Sequence, residues 1–142
     1  MAKKSVATHH DAHLILELYD LRRETRMRAA REWFIQKFAP KSLDDIRALG
    51  AGTPENASYR MVTTYWDMAA SFVAQGILDA DLFLESGGEM LVVWAKLEAI
   101  VPAIRREMNP RLLVNVEKVV SGSASAQERV KTILERFAAA KK

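Results

Sequence analysis

The 142-residue sequence contains no cysteine, which excludes disulfide bridges, thiolate nucleophiles and cysteine metal ligands. A reducing cytoplasm is therefore the expected location. The N-terminal segment carries two lysines but lacks the apolar core of a signal peptide. The longest uncharged run, from Met68 to Leu78, is far shorter than the roughly 20 apolar residues that cross a bilayer. We therefore expect neither secretion nor a transmembrane helix.

The signatures of several enzyme classes are also missing. No G-x-S-x-G, G-x-x-x-x-G-K or G-x-G-x-x-G pattern is present, which argues against hydrolases with a nucleophile elbow, Walker-type phosphate binding and dinucleotide binding. His9 and His13 have a spacing that suits a metal on a helix, but no Glu-x-x-His pattern accompanies them. We interpret metal binding there as adventitious. The sequence thus predicts no metal and no cofactor, and it leans away from an enzyme.

The body of the chain lacks an excess of either charge. The formal net charge is +3, but once the lysines at positions 3, 4, 141 and 142 are set aside, 17 basic residues face 18 acidic ones. A nearly neutral body offers no extended basic surface for phosphates. Five arginines cluster in one segment, yet their acidic neighbours cancel much of the field, so nucleic acid is not an expected partner. The cluster consists of Arg22, Arg23, Arg26, Arg28 and Arg31.

Helical periodicity runs along most of the sequence, and no stretch alternates like a strand. The segment from about Asp11 to Phe38 has no glycine or proline and predicts one long first helix. Thr53 and Pro54 begin a second main helix, as an N-cap followed by proline at the first helical position. This second main helix is predicted to end at Gly76, and short helices are predicted at 42–49 and 79–86. A further helix is predicted from Glu89, with a kink or division at Pro102. The last two predicted helices begin at Asn109 and Ser125.

These elements predict an all-α fold, a compact bundle of four to five main helices with a long first helix and short connecting helices. A chain of this length buries roughly 68–70% of its unfolded surface, which supports a core without a metal or a disulfide. We expect a flexible N-terminal tail over residues 1–10 and a single all-helical domain over residues 11–140.

The arginines divide into two groups on a helical wheel of the predicted first helix. Arg22 and Arg26 fall within its apolar sector, whereas the other three fall outside it. Two interpretations of the inner pair remain open. Their apolar stems pack on the protein while the charged heads reach water, or their heads point inward and pair with a buried acid.

Asp67 is the only charged residue between Met61 and Leu78, and its helical face otherwise carries short side chains rather than lysine or glutamate. It is either solvated or partly buried. In the second case the short residues let the first helix approach, and Arg22 or Arg26 supplies the cation that a buried carboxylate needs. The candidate ion-pair or ligand site consists of Arg22, Arg26, Trp33, Tyr65, Trp66 and Asp67.

Three segments carry a resemblance to a known family: LILELYDLRRETRMRAAREWF, GTPENASYRMVTTYWDMAASFVAQGILDADLFLESGGEM and AKLEAIVPAIRREMNPRLLVNVEKVV. Together they resemble a family of small, uncharacterised bacterial proteins described only as a domain of unknown function. The similarity spans roughly residues 12–120. The resemblance implies an all-helical fold and a bacterial cytoplasmic source, and it supplies no substrate and no catalytic residue.

We therefore expect a non-enzymatic binding or regulatory protein that acts through protein–protein contacts. The chain holds three tryptophans, five phenylalanines and six methionines, and its broad apolar helix faces predict a symmetric homodimer. The alternative is a small-ligand binder or enzyme whose site lies between helices. That site would be lined by Arg22, Arg26, Asp67 and the aromatic residues Trp33, Tyr65 and Trp66.

Overall fold

The computed structural model describes residues 6–141, and every regular element within that range is a helix. This confirms the all-α class. The described range holds nine helices rather than the predicted four to five, because turns divide the longer ones. None of these helices has the length and hydropathy that a membrane span requires. In chain order they are α1 (His9–Leu21), α2 (Thr25–Gln36), α3 (Leu43–Arg47), α4 (Pro54–Ala74), α5 (Ala80–Ser86), α6 (Gly88–Leu97), α7 (Val101–Glu107), α8 (Val114–Ser121) and α9 (Ala124–Ala140).

The start of α1 overlaps the segment that we predict as a flexible tail. Thr8 is the N-cap of α1, and its hydroxyl accepts a hydrogen bond from the amide of His10 at 3.2 Å. The Asp11 carboxylate in turn accepts from the amide of Thr8 at 2.8 Å, which completes a capping box. The first five residues of the predicted tail, 1–5, lie outside the described range.

A turn at residues 22–24 divides the predicted first helix into α1 and α2. Glu24 has a non-helical backbone (φ −56°, ψ 144°), and its carboxylate accepts a hydrogen bond from the amide of Met27 at 2.9 Å. This contact satisfies one of the free amides at the start of α2. The prediction of one continuous helix is wrong because glutamate usually favours helix interiors, whereas here it caps a new helix.

α4 is the central helix of the bundle, with α2 and α8 packed along it. The hydroxyl of Thr53 accepts a hydrogen bond from the amide of Asn56 at 3.0 Å, and Pro54 occupies the first helical position, as predicted. The chain leaves α4 through Gly76, whose φ of +79° strongly favours glycine. Both predicted boundaries of this helix are therefore confirmed.

The second half of the chain is organised around α6, which contacts α2, α8 and α9. The predicted division at Pro102 is confirmed, since α6 ends at Leu97 and Pro102 lies in the first turn of α7. The helix predicted from Asn109 begins only at Val114, because turns precede it and Leu113 has a left-handed backbone with φ 51°.

Lys96 joins α6 to the end of α2. Its ammonium group donates hydrogen bonds to the carbonyl oxygens of Phe34, Ile35 and Phe38 at 2.9, 2.9 and 2.6 Å. Carbonyls at the C-terminal end of a helix have no amide partner within it and carry partial negative charge, so a cation is favourable there. Burial lowers the pKa of Lys96.

The core contains a phenol hydroxyl without a hydrogen-bond partner. The ring of Phe38 packs edge to face on the rings of Phe34 and Tyr59, with centroid distances of 5.0 and 5.8 Å. Tyr59 is only 8% exposed, and its hydroxyl has no partner among the described residues. Burial raises the pKa of Tyr59 to about 12.

We expect Tyr59→Phe to stabilise the protein by up to about 1 kcal/mol at neutral pH, because the change removes an unpaired buried hydroxyl and keeps the ring. Its advantage should grow in alkali. The pKa of Tyr59 is about 12 in the folded chain against an ordinary value of 10.0, so the unfolded chain releases this proton first and the wild type loses stability above pH 10. Near pH 11 the advantage should be about 1.4 kcal/mol larger than near pH 8. Urea unfolding of the wild type and of Tyr59→Phe at both pH values measures this advantage. If the two proteins differ in unfolding free energy by the same amount at pH 8 and pH 11, the prediction is wrong.

Candidate functional site

The six residues of the predicted site do not come together. Arg22, Tyr65 and Trp66 meet where α1, α4 and α5 adjoin. The other three lie apart from this group. Arg26 is exposed on α2, Trp33 stacks on Phe38 with ring centroids 4.8 Å apart, and Asp67 lies on the side of α4 that faces α8.

The turn at residues 22–24 explains where the arginines point. Because it interrupts the first helix, it changes the helical phase of every residue that follows. Arg26 is therefore exposed rather than turned toward the apolar side, and Arg31, predicted to face outward, is half-buried. The helical wheel predicts that Arg22 faces the protein, and its side chain is half-buried.

Arg22 forms an aromatic cluster with the residues around it. Its guanidinium carbon lies 5.0 Å from the ring centroid of Tyr19 and 5.1 Å from that of Trp66, distances typical of cation–π contacts. The Tyr65 hydroxyl donates a hydrogen bond to the carbonyl oxygen of Leu18 at the end of α1. Burial raises the pKa of Tyr65. The cluster thus attaches the C-terminal part of α1 to α4.

The space beside this cluster is too small for a metabolite. The cavity lined by Tyr19, Arg22, Tyr65, Trp66 and Phe83 has a volume of about 10 Å³, which is close to that of a single water probe. Sites for small ligands usually measure roughly 300–1,000 Å³. Of the predicted ligand-site residues, Arg22, Tyr65 and Trp66 therefore pack against each other and leave no room for a ligand between them.

Glu89 lies where α2, α4 and α6 meet, and no sequence pattern identifies it as a site residue. Its carboxylate accepts hydrogen bonds from Nε and Nη2 of Arg31, each at 2.9 Å, and from the indole nitrogen of Trp66 at 3.2 Å. The Arg31 and Glu89 side chains are 24% and 18% exposed. Arg31 also donates to the carbonyl oxygen of Arg22 at 3.0 Å. The network joins α2, α4 and α6 to the turn at residues 22–24, and the bond to Glu89 raises the pKa of Arg31.

Asp67 binds backbone amides rather than a cation. One carboxylate oxygen accepts from the amides of Asn115 and Val116 at 2.8 and 3.0 Å, and the other accepts from the side-chain amide of Asn115 at 3.0 Å. These amides belong to the first turn of α8, whose own N-cap position is Leu113 and has no side-chain cap. No ion pair joins Asp67 to Arg22 or Arg26 within residues 6–141. The short side chains of α4 do admit a close helix, but that helix is α8.

A shallow cleft of about 310 Å³ lies beside Asp67. Its size falls at the lower limit for ligand sites, but both carboxylate oxygens already accept hydrogen bonds from α8. The cleft is lined by Thr63, Thr64, Asp67, Met68, Ser71, Asn109, Arg111, Leu112, Leu113 and Asn115. This surface offers polar groups but no nucleophile paired with a base.

Among the described residues from 6 to 47, three of the four exposed large apolar side chains lie on α1. Leu16, Tyr19 and Leu21 are 65%, 49% and 56% exposed, and Val6 just before the helix is 70% exposed. Such side chains favour contacts with another protein when they cluster. The signal is present in the sequence, since Leu16 and Tyr19 lie three residues apart and therefore share one side of the helix.

The histidines do not form a metal site in the described part of the chain. No group of three or more histidine, aspartate or glutamate side chains within residues 6–141 has the arrangement of a metal site. The Nε2 atom of His13 lies 3.4 Å from a carboxylate oxygen of Glu17 one turn later, and both side chains are largely exposed.

The fold and the contacts define a small all-helical domain in which the notable polar side chains cap helices and join them. The chain belongs to the family described as Domain of unknown function (DUF4760), whose model matches residues 7–123. This membership confirms the resemblance found in the sequence. The match ends just before α9, which begins at Ala124. No curated protein and no solved structure matches the chain.

Proposed function

We propose that the protein is a non-enzymatic binding or regulatory protein of the bacterial cytoplasm that acts through protein–protein contacts as a homodimer. The observation that carries this proposal is the apolar surface of α1. Leu16 and Tyr19 lie on its outer side and are 65% and 49% exposed. Neighbouring exposed apolar side chains can mark a contact surface, and tyrosine is enriched in protein–protein interfaces.

The attachment of α1 supports a role as a contact element. Its main helix contact is with α5, and Asp11 connects the two by accepting a hydrogen bond from the amide of Asp79 at 2.9 Å. The Tyr65 hydroxyl holds its other end. α1 therefore lies at the edge of the bundle, fixed on its inner side and open on its outer side.

The small-ligand alternative is supported at the predicted site by the 310 Å³ cleft beside Asp67. The small-ligand function is less well supported than the homodimer because the Asp67 carboxylate already accepts hydrogen bonds from α8. In addition, the cavity beside Arg22 has a volume of only about 10 Å³. Under this alternative, variants of the cleft would lose ligand binding while the oligomeric state stayed the same.

Light scattering during size exclusion tests the proposal. We expect a mass of about twice 16.0 kDa for the wild type at micromolar concentrations, because a symmetric dimer buries the same patch on both copies. The Leu16→Lys variant should shift the mass toward the monomer. Leu134→Lys is the matched control, since Leu134 is also exposed, at 38%, but lies on α9, which packs on α6 and α8. A wild-type mass of 16.0 kDa throughout this range would overturn the homodimer.

A further inference from the structure

The outer face of α1 has a pattern that allows it to pair with itself. The face consists of His9, Ala12, His13, Leu16, Tyr19 and Asp20, and all six are exposed. Leu16 lies at its centre and is 65% exposed. At about 100° per residue, Ala12 and Tyr19 fall on one flank of Leu16, and His13 and Asp20 fall on the other.

The inner side of α1 is held in place, so this face is displayed in a defined orientation. Asp11 is 2% exposed and binds the amide of Asp79, while Leu18 is 6% exposed and its carbonyl accepts from Tyr65. A rigid helix loses little further freedom when its free face meets a partner.

We infer that two copies of the chain pair through α1, antiparallel, around a two-fold axis at Leu16. This inference rests on the homodimer proposed above and names its surface and register. A two-fold axis requires a self-complementary patch, and the order of residues along the outer face meets that requirement.

The register follows from helix geometry. With a rise of about 1.5 Å per residue, Ala12 lies about 6 Å before Leu16, and Tyr19 lies about 4.5 Å after it. In an antiparallel pair, Ala12 of one copy therefore lies almost level with the partner's Tyr19, and both are on the same flank. A methyl group then faces an aromatic ring, which fills the space between the helices without a clash.

The opposite flank brings together groups that attract. By the same geometry His13 lies almost level with the partner's Asp20, and the two-fold axis repeats this pair. An imidazole donates a hydrogen bond to a carboxylate whether or not it carries a charge. The hydrophobic centre is thus flanked by one size-matched pair and one polar pair on each side of the axis.

A parallel pair of α1 helices does not give this match. Its two-fold axis runs along the helices and exchanges the two flanks, so Ala12 would meet the partner's His13 and Tyr19 would meet the partner's Asp20. Neither the methyl–ring pair nor the imidazole–carboxylate pair would then form. The helix dipoles also oppose a parallel arrangement and favour an antiparallel one.

The absence of cysteine makes disulfide trapping a sharp test, since a single introduced cysteine has no other thiol in its own chain. Leu16→Cys should form a disulfide-linked dimer on mild oxidation at pH 8, because the two-fold axis brings both copies of this residue together. Ala12→Cys and Tyr19→Cys should each cross-link poorly alone. An equal mixture of those two variants should give about tenfold more dimer than either alone, because a disulfide requires Cβ atoms about 4 Å apart.

Leu134→Cys is the matched control for random collision, since this apolar residue is 38% exposed and lies on α9, which packs on α6 and α8. A Leu16→Cys yield at the level of this control would overturn the pairing, and so would equal yields from the mixture and from its two components. If the wild type has the mass of a dimer but these cross-links fail, the register is wrong while the homodimer stands. If the mass is 16.0 kDa and no variant cross-links above the control, both proposals fail.

Discussion

Replacing Glu89 with alanine should lower the free energy of unfolding by about 3 kcal/mol. The change leaves Arg31 with a single protein acceptor, the carbonyl of Arg22, and leaves the indole nitrogen of Trp66 without its acceptor. Removing one partner of a buried ion pair costs about 3–5 kcal/mol. We expect the lower end of this range because the two charged side chains remain 24% and 18% exposed. Urea denaturation monitored by circular dichroism measures the loss.

Two further variants separate this network from an ordinary surface pair. Glu89→Gln keeps an acceptor oxygen for Trp66 but loses the charge, so it should cost about half as much as alanine. Glu107→Ala is the matched control, because Glu107 pairs with Arg47 at 2.9 Å while both side chains are 41% and 50% exposed. An exposed pair contributes less than about 1 kcal/mol. Equal losses for Glu89→Ala and Glu107→Ala would show that the network does not stabilise the fold.

Replacing Asp67 with alanine should lower the free energy of unfolding by about 2–3 kcal/mol, because it removes the hydrogen-bond acceptor of the first turn of α8. Two backbone amides and one side-chain amide lose their partner together. Asp67→Asn keeps one acceptor oxygen and should lose about half as much. Thr64→Ala, an exposed position one turn earlier on α4, should change stability by less than about 0.5 kcal/mol.

The same measurement tests the ion pair suggested by the sequence. If Asp67 acts as the cap of α8, its substitution and Arg26→Leu should have additive effects on stability, within about 0.5 kcal/mol. Asn115→Ala should instead couple to Asp67→Ala, because these two side chains share a hydrogen bond at 3.0 Å. Coupling to Arg26 without coupling to Asn115 would contradict the observed contacts.

Much of the fold follows from local signals in the sequence. Thr53 and Pro54 fix the start of α4, Gly76 fixes its end, and Pro102 divides α6 from α7. Each acts through its own backbone or its nearest neighbours, so a single sequence reveals it. The turn before α2 was missed because its cap is Glu24, a residue type that usually continues a helix.

The candidate site was less predictable because its contacts are long-range. The lack of charged neighbours around Asp67 indicated a special environment, and the structure places this residue half-buried. Its partners are mainly backbone amides, which every residue except proline has, so no residue type identifies them. Arg31 and Glu89 lie 58 residues apart, and nothing local to either residue reveals the other.

The cap of α8 also makes the stability of this short helix depend on a distant part of the chain. α8 has only eight residues, fewer than the roughly 12–15 that an isolated helix needs in water. It begins after a left-handed leucine instead of a local cap, and its cap is Asp67, 48 residues earlier in the chain. The stability of α8 therefore depends on its contact with α4, and making that contact requires the closure of a long loop. In a chain that is still attached to the ribosome, we expect α8 to become stable only when it docks on α4.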